Sequence, residues 1–165
     1  MLNIEEVSNT IHQTRSRIEE ELYILEQTFI NFLLPPFYTN KRKELIKNKK
    51  TFFYDTGIRN QSINDFSDLL FRQDKGRLLE TCIFNEFKKN LNVSQNLLFY
   101  RTRNGTEIDF IIKKDANIYP VEIKARSTDK IPKAFDSFIK TYNVKKAFVL
   151  NQDKMLVKKS DDCCI

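Results

Sequence analysis

Two neighbouring strand-like segments carry the residues best suited to chemistry. If these segments pair as a hairpin centred between Asp115 and Ala116, Asp109 lies directly opposite Glu122 on one face. Directly opposed carboxylates repel each other. A hard divalent cation such as Mg²⁺ would offset that repulsion and could activate a water molecule toward a phosphodiester. Lys124, on the same face, could stabilise the developing phosphate charge or position the attacking water.

Alternation along each segment underlies this prediction. In the first segment, one face carries Ile108, Phe110 and Ile112, and the other face carries Glu107, Asp109 and Ile111. In the second segment, one face carries Val121, Ile123 and Ala125, and the other carries Pro120, Glu122 and Lys124. An alternative stays open, because antiparallel sheets commonly have a polar outer face. In that case Asp109 and Glu122 are solvent-facing residues that Lys124 neutralises.

A regular order of helices and strands surrounds these segments. A helix is predicted over residues 76–90 from the four-residue spacing of Leu79, Ile83 and Phe87, with Cys82 on the same face. A second helix is predicted over residues 132–142, because Pro132 suits a first helical position. Strands are predicted over residues 97–102, 107–113, 118–125 and 146–150. This order is typical of an α/β domain.

The N-terminal segment is predicted to form two short helices. Asn3 can cap the first helix and Thr14 the second, with a turn near His12 and Gln13. The second helix has an apolar stripe formed by Ile18, Leu22, Leu25 and Phe29.

Basic residues begin the second of these helices, as in a DNA-reading helix-turn-helix. Arg15 and Arg17 would then contact DNA. A helical hairpin that packs on the next domain would show the same pattern, and the acidic residues 19–21 would repel phosphates. Both interpretations therefore stay open.

The following stretch is predicted to separate two lobes. Pro35 and Pro36 end any helix and mark a boundary. Residues 51–54 are predicted to form a short strand that ends in a turn at residues 55–57, and residues 63–71 a short helix at best. A basic cluster is predicted to be a solvated face, with a phosphate track as the alternative; it comprises Lys41, Arg42, Lys43, Lys47, Lys49 and Lys50.

Composition restricts the class of protein. The 165 residues accommodate one full domain and a small lobe, and the net charge of +6 only weakly suggests a polyanionic partner. One His and three cysteines, including the adjacent Cys163 and Cys164, favour neither a disulfide framework nor a zinc site. Three scattered glycines exclude a phosphate-binding glycine loop. The N-terminus lacks a basic-then-apolar signal pattern, and no apolar run approaches the roughly 20 residues needed to span a bilayer, so we expect a cytoplasmic protein.

The C-terminal part of the chain, residues 75–150, resembles the PD-(D/E)XK nuclease superfamily. The resemblance implies that one helix glutamate and two strand carboxylates hold Mg²⁺ or Mn²⁺, while the lysine of the E-x-K triplet assists catalysis. Ile108 stands where the motif has its proline. The metal-binding residues would be Glu80, Asp109 and Glu122, and the catalytic residues Asp109, Glu122 and Lys124.

A narrower resemblance covers nearly the whole chain. Segments of the sequence look like a domain of unknown function that lies C-terminal to AAA-type ATPase modules in bacteria and archaea. It implies that the chain is the C-terminal portion of a longer ATPase, or a stand-alone remnant. For Asp55 and Arg59 we predict a turn cap and a surface salt bridge. The segments are residues 34–37, 53–60, 76–80, 99–102 and 107–110.

The combined prediction is an α/β protein with a PD-(D/E)XK nuclease-like core. A helix-turn-helix or winged-helix segment (residues 1–50) precedes this core (residues 51–155), and a tail (156–165) follows it. The expected function is a metal-dependent DNA nuclease that works with an AAA-type ATPase module upstream, in the same or a partner chain. The alternatives are a catalytically silent module that docks DNA or the ATPase, and a helix-turn-helix DNA-binding regulator. The predicted nucleic-acid contacts are Arg15, Arg17, Arg101, Arg103, Lys113 and Arg126.

Overall fold

The computed structural model describes residues 1–38, 48–102, 105–126, 133–151 and 155–159. Over these residues the chain is a mixed α/β protein. Its helices are α1 Ile4–Ile11, α2 Arg15–Gln27, α3 Thr56–Ser62, α4 Lys75–Asn90 and α5 Lys133–Tyr142. Its strands are β1 Asn31–Leu34, β2 Lys50–Phe53, β3 Gln95–Arg101, β4 Glu107–Lys114, β5 Asn117–Lys124, β6 Lys146–Asn151 and β7 Met155–Lys159. Predictions for Lys41, Arg42, Lys43, Lys47, Arg103, Pro132, Cys163 and Cys164 lie outside the described residues.

The two N-terminal helices begin where the sequence predicts. Asn3 Oδ1 accepts a hydrogen bond from the backbone N–H of Glu6, and Thr14 Oγ1 accepts one from Arg17. A left-handed His12, with φ of 53°, makes the turn between them. The predicted stripe of α2 is wrong at Phe29, which is 72% exposed and lies beyond the helix. The chain has by then left the helix toward β1.

Strands β1 and β2 form a small antiparallel sheet. The sequence predicts a strand near β2, at residues 51–54, and does not predict β1. Its register runs from Asn31 opposite Phe53 to Leu34 opposite Lys50. The two prolines therefore follow a strand and not a helix. An isolated bridge between Pro36 and Phe99 joins this connection to β3. We call the part of the chain that contains α1, α2, β1 and β2 the N-terminal unit.

Two predictions are wrong for helix α3 and the segment that follows it. Asp55 begins this helix and does not close a turn, because its Oδ1 accepts a hydrogen bond from the backbone N–H of Ile58 at 2.8 Å. Residues 63–71 contain turns and no helix. The Asp-Thr-Gly sequence suits a turn and a helix N-terminus equally well, so its chemistry did not decide between them.

The main sheet has five strands in the order β3-β4-β5-β6-β7. All neighbours are antiparallel except β5 and β6, which are parallel and connected through α5. Strand β7 was not predicted, and it runs across the expected start of the tail at residue 156. The boundaries of α4, α5, β3, β4, β5 and β6 agree with the prediction within two residues.

Each face of the sheet carries an apolar core. On one face the core includes Phe135 and Phe138 of α5 with Ile108 and Ile111 of β4. On the other face Phe84 of α4 packs in a cluster with residues of both sheets, namely Phe52, Phe99, Phe110 and Val121. The predicted apolar face of α4 missed Phe84, which is its most deeply buried residue.

A β-bulge in the pairing of β3 with β4 changes the predicted faces. Leu98 pairs with Ile111 and Tyr100 with Ile108, so Phe99 alone opposes Asp109 and Phe110. Consequently Ile108 packs in the α5-side core and Phe110 in the α4-side core. The predicted strict alternation is therefore wrong at this point. A bulge of this kind re-aims a side chain, here that of Asp109.

Candidate active site

Asp109 and Glu122 meet where β4 and β5 separate. The predicted hairpin register is confirmed from Phe110 opposite Val121 to Lys114 opposite Asn117. Beyond Val121, side chains replace the ladder: Asp109 Oδ2 accepts from the N–H of Ile123 at 2.8 Å. Glu122 Oε2 accepts from the N–H of Asp109 at 3.4 Å. Each carboxylate is thus held by the other's strand.

Lys124 forms an ion pair with Glu122, a contact that the sequence predicts as the structural alternative to a catalytic role. Its Nζ is 2.6 Å from Glu122 Oε1. The Lys124 side chain is 41% exposed, whereas that of Glu122 is 11% exposed. The ammonium group therefore neutralises a mostly buried carboxylate and still reaches solvent.

A second lysine, Lys50, occupies the space beside Glu80. Its Nζ lies 2.7 Å from Glu80 Oε1 and 2.5 Å from Glu107 Oε1. Asp109 Oδ1 is 3.8 Å away. Lys50 is only 9% exposed, so its prediction as part of a solvated face is wrong. Lys50 is buried because β2 pairs with β1, which places Lys50 directly across from the fully buried Leu34.

We call Glu80, Glu107, Asp109 and Glu122 the acidic cluster. Burial raises the pKa of Glu80, with Lys50 opposing that effect. Burial also raises the pKa of Asp109, against the hydrogen bond from Ile123. For Glu122, burial and the negative charge of Asp109 raise the pKa, while Lys124 lowers it. These carboxylates have lost much of their hydration, which strengthens their attraction for cations.

Lys50 shows the opposite balance. Burial opposes its positive charge, yet Glu80 and the neighbouring carboxylates outweigh burial and raise its pKa. The ammonium group is therefore held in its charged form. It also lies 5.5 Å from the ring centre of Phe99, which adds a cation–π contact.

The acidic cluster belongs to two ion-pair groups that meet at Asp109. The first is Lys50 with Glu80 and Glu107, and the second is Lys124 with Glu122. The charges of Lys50, Asp109 and Glu107 act on the pKa of Glu80, whereas those of Asp109 and Lys124 act on the pKa of Glu122. Within the described ranges, no group of three or more His, Cys, Asp or Glu is arranged to hold a metal ion. The donor types suit Mg²⁺ or Mn²⁺ because all are carboxylate oxygens. As the side chains stand, however, lysine ammonium groups supply the positive charge.

A groove of about 820 Å³ lies beside Lys50 and Glu80. Its basic lining includes Arg59, Arg77 and Arg101. Arg101 pairs with Glu107 at 3.3 Å, and Arg77 is exposed. Arg59 forms the predicted salt bridge, with Asp74 at 2.8 Å, but its side chain is mostly buried and not on the surface.

The other predicted nucleic-acid contacts are scattered. Arg15 pairs with Glu19 of its own helix at 2.8 Å. Arg17 pairs similarly with two glutamates of α2. Lys113 is exposed near the hairpin turn, about 14 Å along β4 from Asp109 at the usual rise per residue. Arg126 is exposed two residues beyond Lys124.

Sequence reasoning missed four residues of this region. Lys50 and Glu107 complete the first ion-pair group, and Arg59 and Arg77 line the groove. Glu107 shares the period-two spacing of Asp109, which was an available signal. Lys50 had no such signal, because it belongs to a run of basic residues.

The fold and site together define a mixed α/β domain with a buried, lysine-neutralised acidic cluster. A family model described as "Domain of unknown function (DUF4143)" matches residues 75–165, more than half of the chain, and the chain belongs to this family. This domain is usually found in AAA-type ATPase-associated proteins. A second model, "Domain of unknown function (DUF8612)", matches residues 1–69.

One curated relative extends the comparison. "Uncharacterized protein MJ1544" of Methanocaldococcus jannaschii is 26% identical over 147 residues. The match covers 84% of this chain and 31% of the relative, so the chain spans about a third of that protein's length. Among the helices described here, none has the length and apolarity needed to cross a membrane.

Proposed function

We propose that this chain is a PD-(D/E)XK-like domain that cleaves nucleic-acid phosphodiesters with the help of a divalent metal. The observation that carries the proposal is the position of Asp109. It lies mostly buried where β4 and β5 separate. Its Oδ1 is 3.8 Å from Lys50 Nζ, and its backbone N–H donates to Glu122 Oε2 at 3.4 Å. Acidic side chains that are desolvated and have perturbed pKa values cluster at functional sites.

Each residue has a definite role in this proposal. Glu80, Asp109 and Glu122 would hold Mg²⁺ or Mn²⁺, which supplies an activated water and charge stabilisation when bound. The backbone N–H of Ile123 fixes the Asp109 carboxylate through Oδ2, while Oδ1 lies 3.8 Å from Lys50 Nζ. Lys124 holds Glu122 in place and, being partly exposed, can reach a phosphate.

The groove provides a path for the substrate. Arg77 and Arg101 line it beside Glu80 and Glu107, and a phosphate backbone attracts such residues without regard to base sequence. Arg126 extends the basic surface on the Lys124 side. We therefore propose DNA as the partner. An AAA-type ATPase module is the proposed protein partner, because that is where DUF4143 domains are usually found.

The test combines metal binding with cleavage. Mn²⁺ and Mg²⁺ are titrated calorimetrically into the wild-type protein, Asp109→Asn and Glu122→Gln, and nicking of a plasmid is followed at the same metal concentrations. Glu86→Gln is the matched control, since Glu86 is an exposed carboxylate on α4 that pairs with Lys89. The proposal requires that binding and nicking are lost in the two site variants and kept in the control.

A second candidate function is a catalytically silent docking module. The observation that favours it is the pairing of Glu80 and Glu107 with Lys50, and of Glu122 with Lys124, which neutralises the acidic cluster without a metal. In this case wild-type protein binds no Mn²⁺ and nicks no plasmid. A binding assay against DNA and against an AAA-type ATPase module would then identify what the domain docks.

A further inference from the structure

We propose that Lys50 is a built-in counter-cation that a divalent metal must displace from the acidic cluster. The N-terminal unit, which carries Lys50, then competes with the metal for Glu80, Glu107 and Asp109. This inference rests on the proposed function for the identity of the metal. It adds a residue outside the resemblance to nucleases and a way in which the N-terminal unit controls the site.

The position of Lys50 is the first argument. Its ammonium group contacts two carboxylates within 2.7 Å and lies 3.8 Å from a third. A metal held by Glu80 and Asp109 would need the oxygen atoms that face this ammonium group. Like charges cannot share such a buried space without a large cost in free energy.

The charge balance is the second argument. Four carboxylates of the acidic cluster face three cations, Lys50, Arg101 and Lys124, so the group carries −1 when all are ionised. Adding a divalent ion beside Lys50 would leave +1 in a mostly buried region. Withdrawing Lys50 while the ion binds gives zero, which is the balance that a low-dielectric site favours.

The surroundings of Lys50 allow a local movement. Its strand is anchored by Phe52, which stacks on Phe84 with ring centres 4.5 Å apart. Lysine has a flexible four-carbon stem, and Lys50 is among the residues that line the groove. The side chain can therefore swing into the groove while the aromatic contacts of β2 remain in place.

The experiment measures the accessibility of Lys50 in the unaltered protein. An amine-reactive reagent is applied with and without saturating Mn²⁺, and labelling rates are read for each lysine separately by fragmentation of the labelled peptides in the mass spectrometer. Lys49 is the internal control, because it is the exposed neighbour of Lys50. We expect Lys50 to react at least tenfold faster with Mn²⁺ present, while Lys49 changes little.

Calorimetry on variants gives an independent readout. Lys50→Met should bind Mn²⁺ about tenfold more tightly than wild type, which corresponds to about 1.4 kcal/mol. Lys49→Met, the matched control, should bind as wild type does. The labelling measurement needs no variant, so the inference remains testable if Lys50→Met does not fold.

The outcomes separate this inference from the proposed function. Mn²⁺ binding with Lys50 still protected would overturn the inference and leave the proposed function standing. Binding by Lys50→Met but not by wild type would overturn the inference, because Lys50 would then exclude the metal and not be displaced by it. Absence of binding in both proteins would overturn the inference and the proposed function together.

Discussion

Replacement of Lys50 by methionine should strongly destabilise the metal-free protein at neutral pH. The substitution keeps most of the apolar stem and removes the charge that faces Glu80 and Glu107 at 2.7 and 2.5 Å. Removing one partner of a buried ion pair typically costs about 3–5 kcal/mol. For a chain of this size, such a loss lowers the melting temperature by about 6–20 °C.

The loss should shrink as the pH falls. Burial already raises the pKa of Glu80 and Asp109, and Lys50 lowers both, so its removal raises them further. A carboxyl group with a raised pKa in the folded state stabilises that state below its ordinary pKa. This stability is lost as the pH rises through the raised pKa. The difference between variant and wild type should therefore be largest near pH 7 and smaller near pH 5.

Urea unfolding in chelator-treated buffer at both pH values measures this difference. Lys49→Met is the control and should stay within about 0.5 kcal/mol of wild type, because Lys49 is exposed. The reasoning is refuted if Lys50→Met unfolds at the wild-type urea concentration at pH 7. It is also refuted if the loss is the same at both pH values.

Four further substitutions, one of them a control at an exposed position, test the elements that support the site, each by urea unfolding. Phe84→Ala should lower the free energy of unfolding by about 3–5 kcal/mol because the ring is fully buried. Phe71→Ala is the control and should change it by less than about 0.5 kcal/mol, because Phe71 is 82% exposed. Equal losses would contradict the core assignment. Asp55→Ala should cost about 1 kcal/mol by removing the cap of α3. Gly57→Ala should not bring the usual helix gain of about 0.5–1 kcal/mol, since the new Cβ would lie 2.9 Å from Asp55 Oδ1. That gain should appear only when Gly57→Ala is combined with Asp55→Ala, and a gain in the single variant would argue against the contact.

The parts of the fold that depend on local pattern were predictable from the sequence. The register of β4 with β5 followed from the turn at Asp115 and the period of two, and it is confirmed up to Val121. Helix α4 followed from its four-residue spacing. The contact between Lys124 and Glu122 followed from the same alternation. Each of these depends on residues close together in the chain.

The rest depends on contacts between distant residues. Lys50 looks like any lysine in a basic run until β1 pairs with its strand and Glu80 of α4 comes beside it. The bulge at Asp109 and Phe110 leaves the composition of β4 unchanged, so no sequence pattern reveals it. The start of α3 was ambiguous because Asp55 suits a turn or a cap.

The contact between Lys50 and Glu80 joins the two parts of the chain that separate family models describe. Residues 1–69 supply the cation, and residues 75–165 supply the carboxylates. Neither part alone inherits the complete arrangement. A gene that paired the same second part with a different first part would keep every carboxylate and lose the contact from Lys50. The charge that neutralises Glu80 and Glu107 therefore depends on a part of the chain other than the one that carries these acids.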